Sequence, residues 1–311
     1  MRLKKLLVTN ITEKELSKDN WDRLSKIFHE IVFKKAEDSD LEGELKNTDA
    51  IFSKFNAIDA NIISKSPNLK YIGIFATGTG HVDLELASKK DITVTNIPGY
   101  STESVAEFTI GVILEHLREL RKARSEGAKG NYSEDNFSAK EIRGKGFGVI
   151  GLGRIGMRVA ELADAFGADV SYYSKTKKET TFADYAELDQ LVANNDIISL
   201  NLALTSDTRN VIDSSLLNSI KSGAILINTA PMEIIDLDAL IARLKKGDIT
   251  FIWDHPDEMS EENLNMLTPL KNVITYPPIG YISEEATKAK KDIFIANVES
   301  FIDGKKLNVV N

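Results

Sequence analysis

The densest chemistry in this sequence lies in a glycine turn. Gly151-Leu152-Gly153-Arg154-Ile155-Gly156 follows an apolar run at 146–150 and leads into a helical pattern with apolar Ile155, Val159, Leu162, Ala163 and Phe166. A GxGxxG triplet means little alone; between a strand and a helix it makes a phosphate cradle. Gly151 permits the tight turn, Gly153 lets the backbone approach a pyrophosphate, and Gly156 lets helix and strand pack closely. The amides at the helix start then favour the anion. Gly167 is placed to cap this helix, and a second strand is expected over 169–173. Sites built for NAD(H) put a carboxylate after that strand, against the ribose 2′-hydroxyl. Here the position holds Ser174, with Lys175, Lys177 and Lys178 beside it. A carboxylate repels a 2′-phosphate, whereas a hydroxyl and three lysines attract one, so NADP(H) is preferred over NAD(H). A solvated basic loop is the plainer alternative.

Other chemistries are excluded by residue type. The chain has no cysteine, which removes disulfides, thiolate metal sites and thiol nucleophiles together. Its four histidines (His29, His81, His116 and His255) form no i, i+4 pair and no HExxH run, so no metal site is expected. A net charge of −8 argues against non-specific nucleic-acid binding. No apolar run reaches the ~18 residues that span a bilayer, and the N-terminal apolar run is too short for a secretory signal. A cytoplasmic protein is expected, without membrane or nucleic-acid partners.

The elements that must position the turn alternate between strand and helix. With 311 residues, 42% apolar and 28% charged, two globular domains are expected. Strands are expected at 5–9, 50–53, 71–75 and 92–95, with helices at 13–30 and 60–64. Such alternation implies βαβ units and a parallel sheet. Ser104 and Glu107 have capping-box spacing and open a long helix to Arg121. The polar stretch 126–141 reads as a surface loop. A second strand–helix series then runs from 146 to about 276, and an amphipathic helix over 283–302 ends near Gly304. The fold class is α/β, with the C-terminal helix free to return to the first domain.

Several stretches together resemble the D-isomer-specific 2-hydroxyacid dehydrogenases, in their glycerate dehydrogenase and hydroxypyruvate reductase branch. They are 67–73, the run from Ala76 to Leu114, Gly146 to Gly156, 201–205, 227–230 and 283–286. The resemblance is collinear over nearly the whole chain. It implies two Rossmann/flavodoxin-like domains with parallel sheets: a substrate domain, 1–100 and 284–311, and an inserted dinucleotide domain, 101–283. It also implies an intervening cleft, a homodimer formed around the 104–121 helix, and hydride transfer between a nicotinamide and a 2-oxo or 2-hydroxy acid. Cofactor contacts are implied at Leu202, Ala203, Thr208, Thr229, Ala230, Asp254 and Gly280, and substrate contacts at Thr77, Gly78 and Tyr100.

Three family positions are altered. The arginine that holds the substrate carboxylate follows the Asn-Thr-Ala run, where this chain has Pro231 and then Met232. The proton-donating histidine follows a proline after the last strand, where this chain has Pro278. The glutamate that tunes it falls at Met259, one residue from Glu258. Proline carries no charge and no N–H, so neither proline can take over the missing role. His255, beside Asp254 in the former glutamate loop, is a candidate donor. Lys54, after the 50–53 strand, is a candidate cation. Tyr100, Tyr276 and Tyr281 lie on cleft-lining segments, with packing as their default role. His81 has a structural or rim role, and His29 and His116 structural ones. Two readings follow: an NADP(H)-dependent oxidoreductase acting on something other than a simple 2-oxoacid, or an inactive relative that binds dinucleotide as a sensor or interaction protein.

Overall fold

The computed structural model describes residues 3–35, 38, 40–54 and 56–311, without the side chain of Glu258. In chain order the elements are β1 (Leu3–Thr9), α1 (Lys18–Ile27), β2 (Phe28–Lys34), α2 (Leu41–Leu45), β3 (Ala50–Ser53), α3 (Ala60–Ser64), β4 (Tyr71–Ile74), α4 (Leu84–Lys89) and β5 (Thr93–Thr95). Next come α5 (Thr102–Leu117), α6 (Leu120–Ala128), β6 (Gly146–Ile150), α7 (Arg154–Ala165), β7 (Asp169–Tyr173), β8 (Asp184–Tyr185), α8 (Leu188–Asn194) and β9 (Ile197–Leu200). The chain ends with α9 (Ser214–Ser219), β10 (Ile225–Asn228), α10 (Leu237–Leu244), β11 (Thr250–Trp253), α11 (Glu261–Leu267), β12 (Val273–Thr275) and α12 (Glu284–Ile302).

The chain divides into two compact units, Met1–Tyr100 with Ser283–Asn311, and Ser101–Ile282. In the first, five strands lie in the order β2-β1-β3-β4-β5, paired in parallel. β1 carries Leu6, Leu7 and Val8, all buried, because a parallel strand is covered on both faces. The C-terminal helix α12 closes this unit. Phe294 lies fully buried against Phe52 and Phe75, with ring centroids 4.7 and 4.9 Å away in edge-to-face contact. Each fully buried phenylalanine is worth roughly 1.5–3 kcal/mol, and each ring pair about 0.5–1.5 more.

In the second unit seven parallel strands take the order β12-β11-β10-β9-β6-β7-β8. Strand order reverses between β6 and β9, which opens a crevice beyond their carboxyl ends. α5 and α7 cover one face through Ala106, Ile110, Ile113, Val159 and Ala163, packed on Phe147 and Val149.

Three sequence expectations are corrected. The segment 13–30 is not one helix: a 3₁₀ turn at Glu13–Glu15 precedes α1, and the chain then turns into the strand β2. The Ser104–Glu107 spacing does not mark a helix start. α5 begins at Thr102 after Ser101, and the Ser104 hydroxyl donates to the Gly280 carbonyl at 2.8 Å. The long helix also does not reach Arg121. Glu119 adopts φ 50°, a left-handed conformation that interrupts the helix before α6.

Candidate functional site

The glycine turn sits at the crevice between β6 and β9. Gly151 adopts φ +96°, and a Cβ there would lie 2.7 Å from the Asn201 carbonyl oxygen on the loop after β9. A Cβ on Gly156 would lie 2.0 Å from the Gly151 carbonyl oxygen, so only hydrogen fits. At Gly153 the space a side chain would fill is open. Gly153 caps α7, whose first residues are Arg154 and Ile155. Helix α7 ends at Phe166, with Gly167 beyond it at φ +78°, the left-handed position that glycine favours. The Asn201 Oδ1 is buried with no hydrogen-bond partner. An open cradle of amides and an orphaned acceptor fit a dinucleotide bound across this turn.

The residues after β7 separate in role. The Ser174 hydroxyl donates to the Thr176 carbonyl at 2.6 Å. Lys175 reaches into solvent and pairs with Asp207 at 3.0 Å, which it holds below the usual carboxylate range. Lys177 lies 4.0 Å above the Tyr185 ring. Lys178 folds back and donates to the Leu152 carbonyl inside the glycine turn. Of the three ammonium groups, Lys178 is the one anchored at the turn itself.

Along the carboxyl edge, the loop after β9 carries Leu202, Ala203 and Thr208, closed by a bond from the Thr208 hydroxyl to the Ala203 carbonyl at 2.7 Å. After β10, the buried Asn228 side chain accepts from the Ala230 amide at 3.0 Å, fixing Thr229 and Ala230. Pro231 follows, at the start of a short 3₁₀ turn. After β11, Asp254 is buried and accepts from the Gly280 amide at 3.3 Å. His255 Nε2 stands 3.6 Å from Asp254 Oδ1, and its ring stacks on Tyr281 with centroids 6.1 Å apart. Pro278 lies after β12, between Tyr276 and Gly280. Tyr276 is engaged elsewhere: its hydroxyl donates to Glu115 on α5, and burial with that carboxylate raises its pKa. The neighbouring positions of β10, β11 and β12 therefore place Pro231, His255 and Pro278 on one sheet edge.

In the first unit, Lys54 follows β3 and pairs with Glu15 at 2.8 Å. Thr77 and Gly78 are exposed beyond β4; the Thr77 hydroxyl donates to the Ile97 carbonyl and its own carbonyl accepts from Asn96. Tyr100 is half-buried, with the Lys290 ammonium 5.3 Å from its ring centroid. Lys290 escaped the sequence reading, since it sits in a lysine-rich helix that reads as solvated. The one available signal is its place four residues before the buried Phe294. His81 is half-buried, and burial lowers its pKa. The same holds for His116, where Lys140 adds to the effect; His29 is exposed on β2. Among the described residues no cluster of metal-ligating side chains occurs, and no helix is long and apolar enough to cross a membrane.

A doubly wound parallel sheet with a glycine cradle at its switch point defines a dinucleotide-binding α/β protein. Residues 110–280 match the model of the D-isomer specific 2-hydroxyacid dehydrogenase, NAD binding domain. A glyoxylate reductase from Aeropyrum pernix is 33% identical over 94% of this chain and 88% of its own length. The D-lactate dehydrogenase from Aquifex aeolicus, solved with NAD and lactic acid, superimposes with a TM-score of 0.84 at 30% identity, covering 96% of each chain. An acyclic imino acid reductase, Bsp5, solved with NADPH and D-Arg, superimposes with a TM-score of 0.88 at 28% identity, covering 99% of this chain and all of its own. The chain belongs to the D-isomer specific 2-hydroxyacid dehydrogenase family of NAD(P)-dependent oxidoreductases.

Proposed function

We propose that this chain is an NADP(H)-dependent reductase whose site is altered so that simple 2-oxoacids are not its substrates. The observation that carries the reading is the pair Pro231 and Pro278 at the carboxyl edge, where the family resemblance places a cation and a proton donor. When bound, the nicotinamide supplies hydride. A ketone that accepts hydride becomes an alkoxide and needs a proton, and losing a general acid typically costs about 10²–10⁴ in rate. A protonated imine that accepts hydride becomes a neutral amine and needs no proton at the reacting atom. An edge without the donor therefore suits a C=N acceptor, and the resemblance to an imino acid reductase solved with NADPH supports the same class.

In this reading the residues of the glycine turn bind the pyrophosphate, and Leu202, Ala203, Thr208, Thr229 and Ala230 line the cofactor. Ser174 and Lys178, with Lys175 and Lys177 at the rim, favour the 2′-phosphate. Asp254, held by the Gly280 amide, orients the nicotinamide amide, with the His255 ring beside it. The first unit, 1–100 with the C-terminal helix, serves the substrate through Thr77, Gly78, Tyr100 and Lys54. The chain forms a homodimer through α5 and α6.

The test is NADPH oxidation at saturating cofactor with hydroxypyruvate, glyoxylate and pyruvate, each with and without ammonium. Negligible turnover without ammonium and turnover with it supports the reading. Turnover of about 1–10³ per second on the bare 2-oxoacids contradicts it. No turnover in either condition, with tight NADPH binding, moves the chain to the dinucleotide-binding sensor.

A further inference from the structure

The five-stranded sheet has its own switch point, between β1 and β3, because β2 lies on one side of β1 and β3 on the other. In open α/β sheets the crevice beyond the carboxyl ends at such a point is where ligands bind. Two lysines stand there. Lys54 leaves the end of β3 and pairs with Glu15, from the segment that follows β1. Glu15 is held below the usual carboxylate range by Lys54 and by Thr12, which outweigh its partial burial, so it stays ionised. A second lysine stands close to this pair.

That second lysine is Lys290. It lies one helical turn before Phe294, on the face that anchors α12 to the sheet, where an apolar residue would ordinarily sit. Its ammonium rests 4.3 Å from the Phe75 ring centroid and 5.3 Å from that of Tyr100. No carboxylate pairs with it among the described residues. Burial and the neighbouring Lys54 push its pKa down to about 8, against a smaller upward pull from Glu15. Ring faces stabilise a cation less than a paired carboxylate does. A half-buried ammonium without a counter-ion costs stability, and an incoming anion relieves that cost.

We propose that Lys290, with Lys54, binds an oxyanion of the substrate at the carboxyl edge of the five-stranded sheet. The aromatic pair fixes the ammonium from below, and Lys54 brings the second charge. A carboxylate or a phosphate group fits this chemistry. The site rests on the proposed reduction reaction only for the name of its ligand, since all its residues belong to the first unit.

Oxalate and inorganic phosphate are the probes, titrated calorimetrically into the full chain with and without NADPH. Tighter binding of oxalate makes the native group a carboxylate, and tighter binding of phosphate makes it a phosphoryl group. Lys290→Met lowers the affinity for the preferred anion about 10–100-fold, as loss of a charge-assisted hydrogen bond requires. Lys54→Met gives a smaller loss, and Lys290→Arg stays within about threefold of wild type by the same measure. NADPH affinity, read separately, holds in all three variants. A second readout needs no weakened variant: after reductive ¹³C-methylation, the resonance absent from Lys290→Arg shifts on adding the anion to wild type. Unchanged anion affinity in Lys290→Met overturns the proposal. So does a wild-type protein that binds neither anion, or a Lys290 resonance that does not move. Loss of NADPH preference with anion binding intact refutes the cofactor reading alone.

Discussion

A hydroxyl rather than a carboxylate follows β7, and that one side chain sets the expected cofactor. Ser174→Asp places a negative charge where the 2′-phosphate is proposed to sit, so the preference should shift from NADPH towards NADH by about 10–100-fold. Paired fluorescence titrations read it. Lys178→Ala, which removes the ammonium anchored on the Leu152 carbonyl, should weaken NADPH more than NADH. Lys290 has a consequence for stability. Its folded pKa of about 8 lies below that of a free lysine, near 10.4, so between those values the unfolded chain binds more protons. Stability from this group therefore rises as pH increases from about 8 towards 10, and its charge penalty is fully present below 8. Lys290→Met should raise the melting temperature at pH 7, by less than the roughly 2–4 °C per kcal/mol recovered that holds for 150–250 residues. A lower melting temperature would show that the ring contacts outweigh the desolvation. The glycine turn was legible in the sequence because its chemistry is local, with three glycines at fixed spacing between a strand and a helix. Lys290 was not, because nothing in Lys288-Ala289-Lys290-Lys291 distinguishes a lysine facing two rings from one facing water.

At the scale of elements, the buried strands β1, β3 and β4 are legible as short apolar runs. β2 is missed because it follows α1 without glycine or proline to break the chain, and His29 and Glu30 continue the polar face of that helix. The strand signal, Ile31-Val32-Phe33, begins only three residues later and is half-buried at a sheet edge. The Ser104–Glu107 spacing shows the opposite failure, a capping pattern met by chance inside a helix. Tertiary contact decides there, since the Ser104 hydroxyl is taken by Gly280. Packing of α7 on its turn gives a direct prediction. Gly156→Ala puts a methyl 2.0 Å from the Gly151 carbonyl oxygen, so the helix must shift off the turn. The expected cost is about 1–3 kcal/mol in urea unfolding, with NADPH affinity falling alongside. An unchanged midpoint would contradict the close fit of α7 on the turn.

For the molecule as a whole, the apolar excess of α5 is smaller than its sequence suggests. Val105, Ile110, Val112, Ile113 and Leu117 are buried within the chain itself, which removes most of the case for a partner subunit from that helix. What stays uncovered is Leu120, 51% exposed, with the half-buried Phe108 and the Arg121 and Arg124 side chains around one shallow groove. A second copy over that groove is the proposed dimer. Leu120→Glu with Phe108→Ser should give a monomer by light scattering at micromolar concentration while the far-ultraviolet spectrum stays folded. A wild-type monomer, or a double variant that stays dimeric, contradicts the interface.

The proposed chemistry stands or falls on what the carboxyl edge does without an arginine and a histidine at Pro231 and Pro278. The most direct measurement is the initial rate of NADPH oxidation with glyoxylate at saturating cofactor, taken before and after adding ammonium at a pH where the imine is protonated. No enzymatic rate is expected before the addition, and a protein-dependent rate is expected after it. A rate before the addition within the ordinary range of enzymes, about 1–10³ per second, would show that His255, Lys54 or another group has restored 2-oxoacid reduction, and would contradict the account.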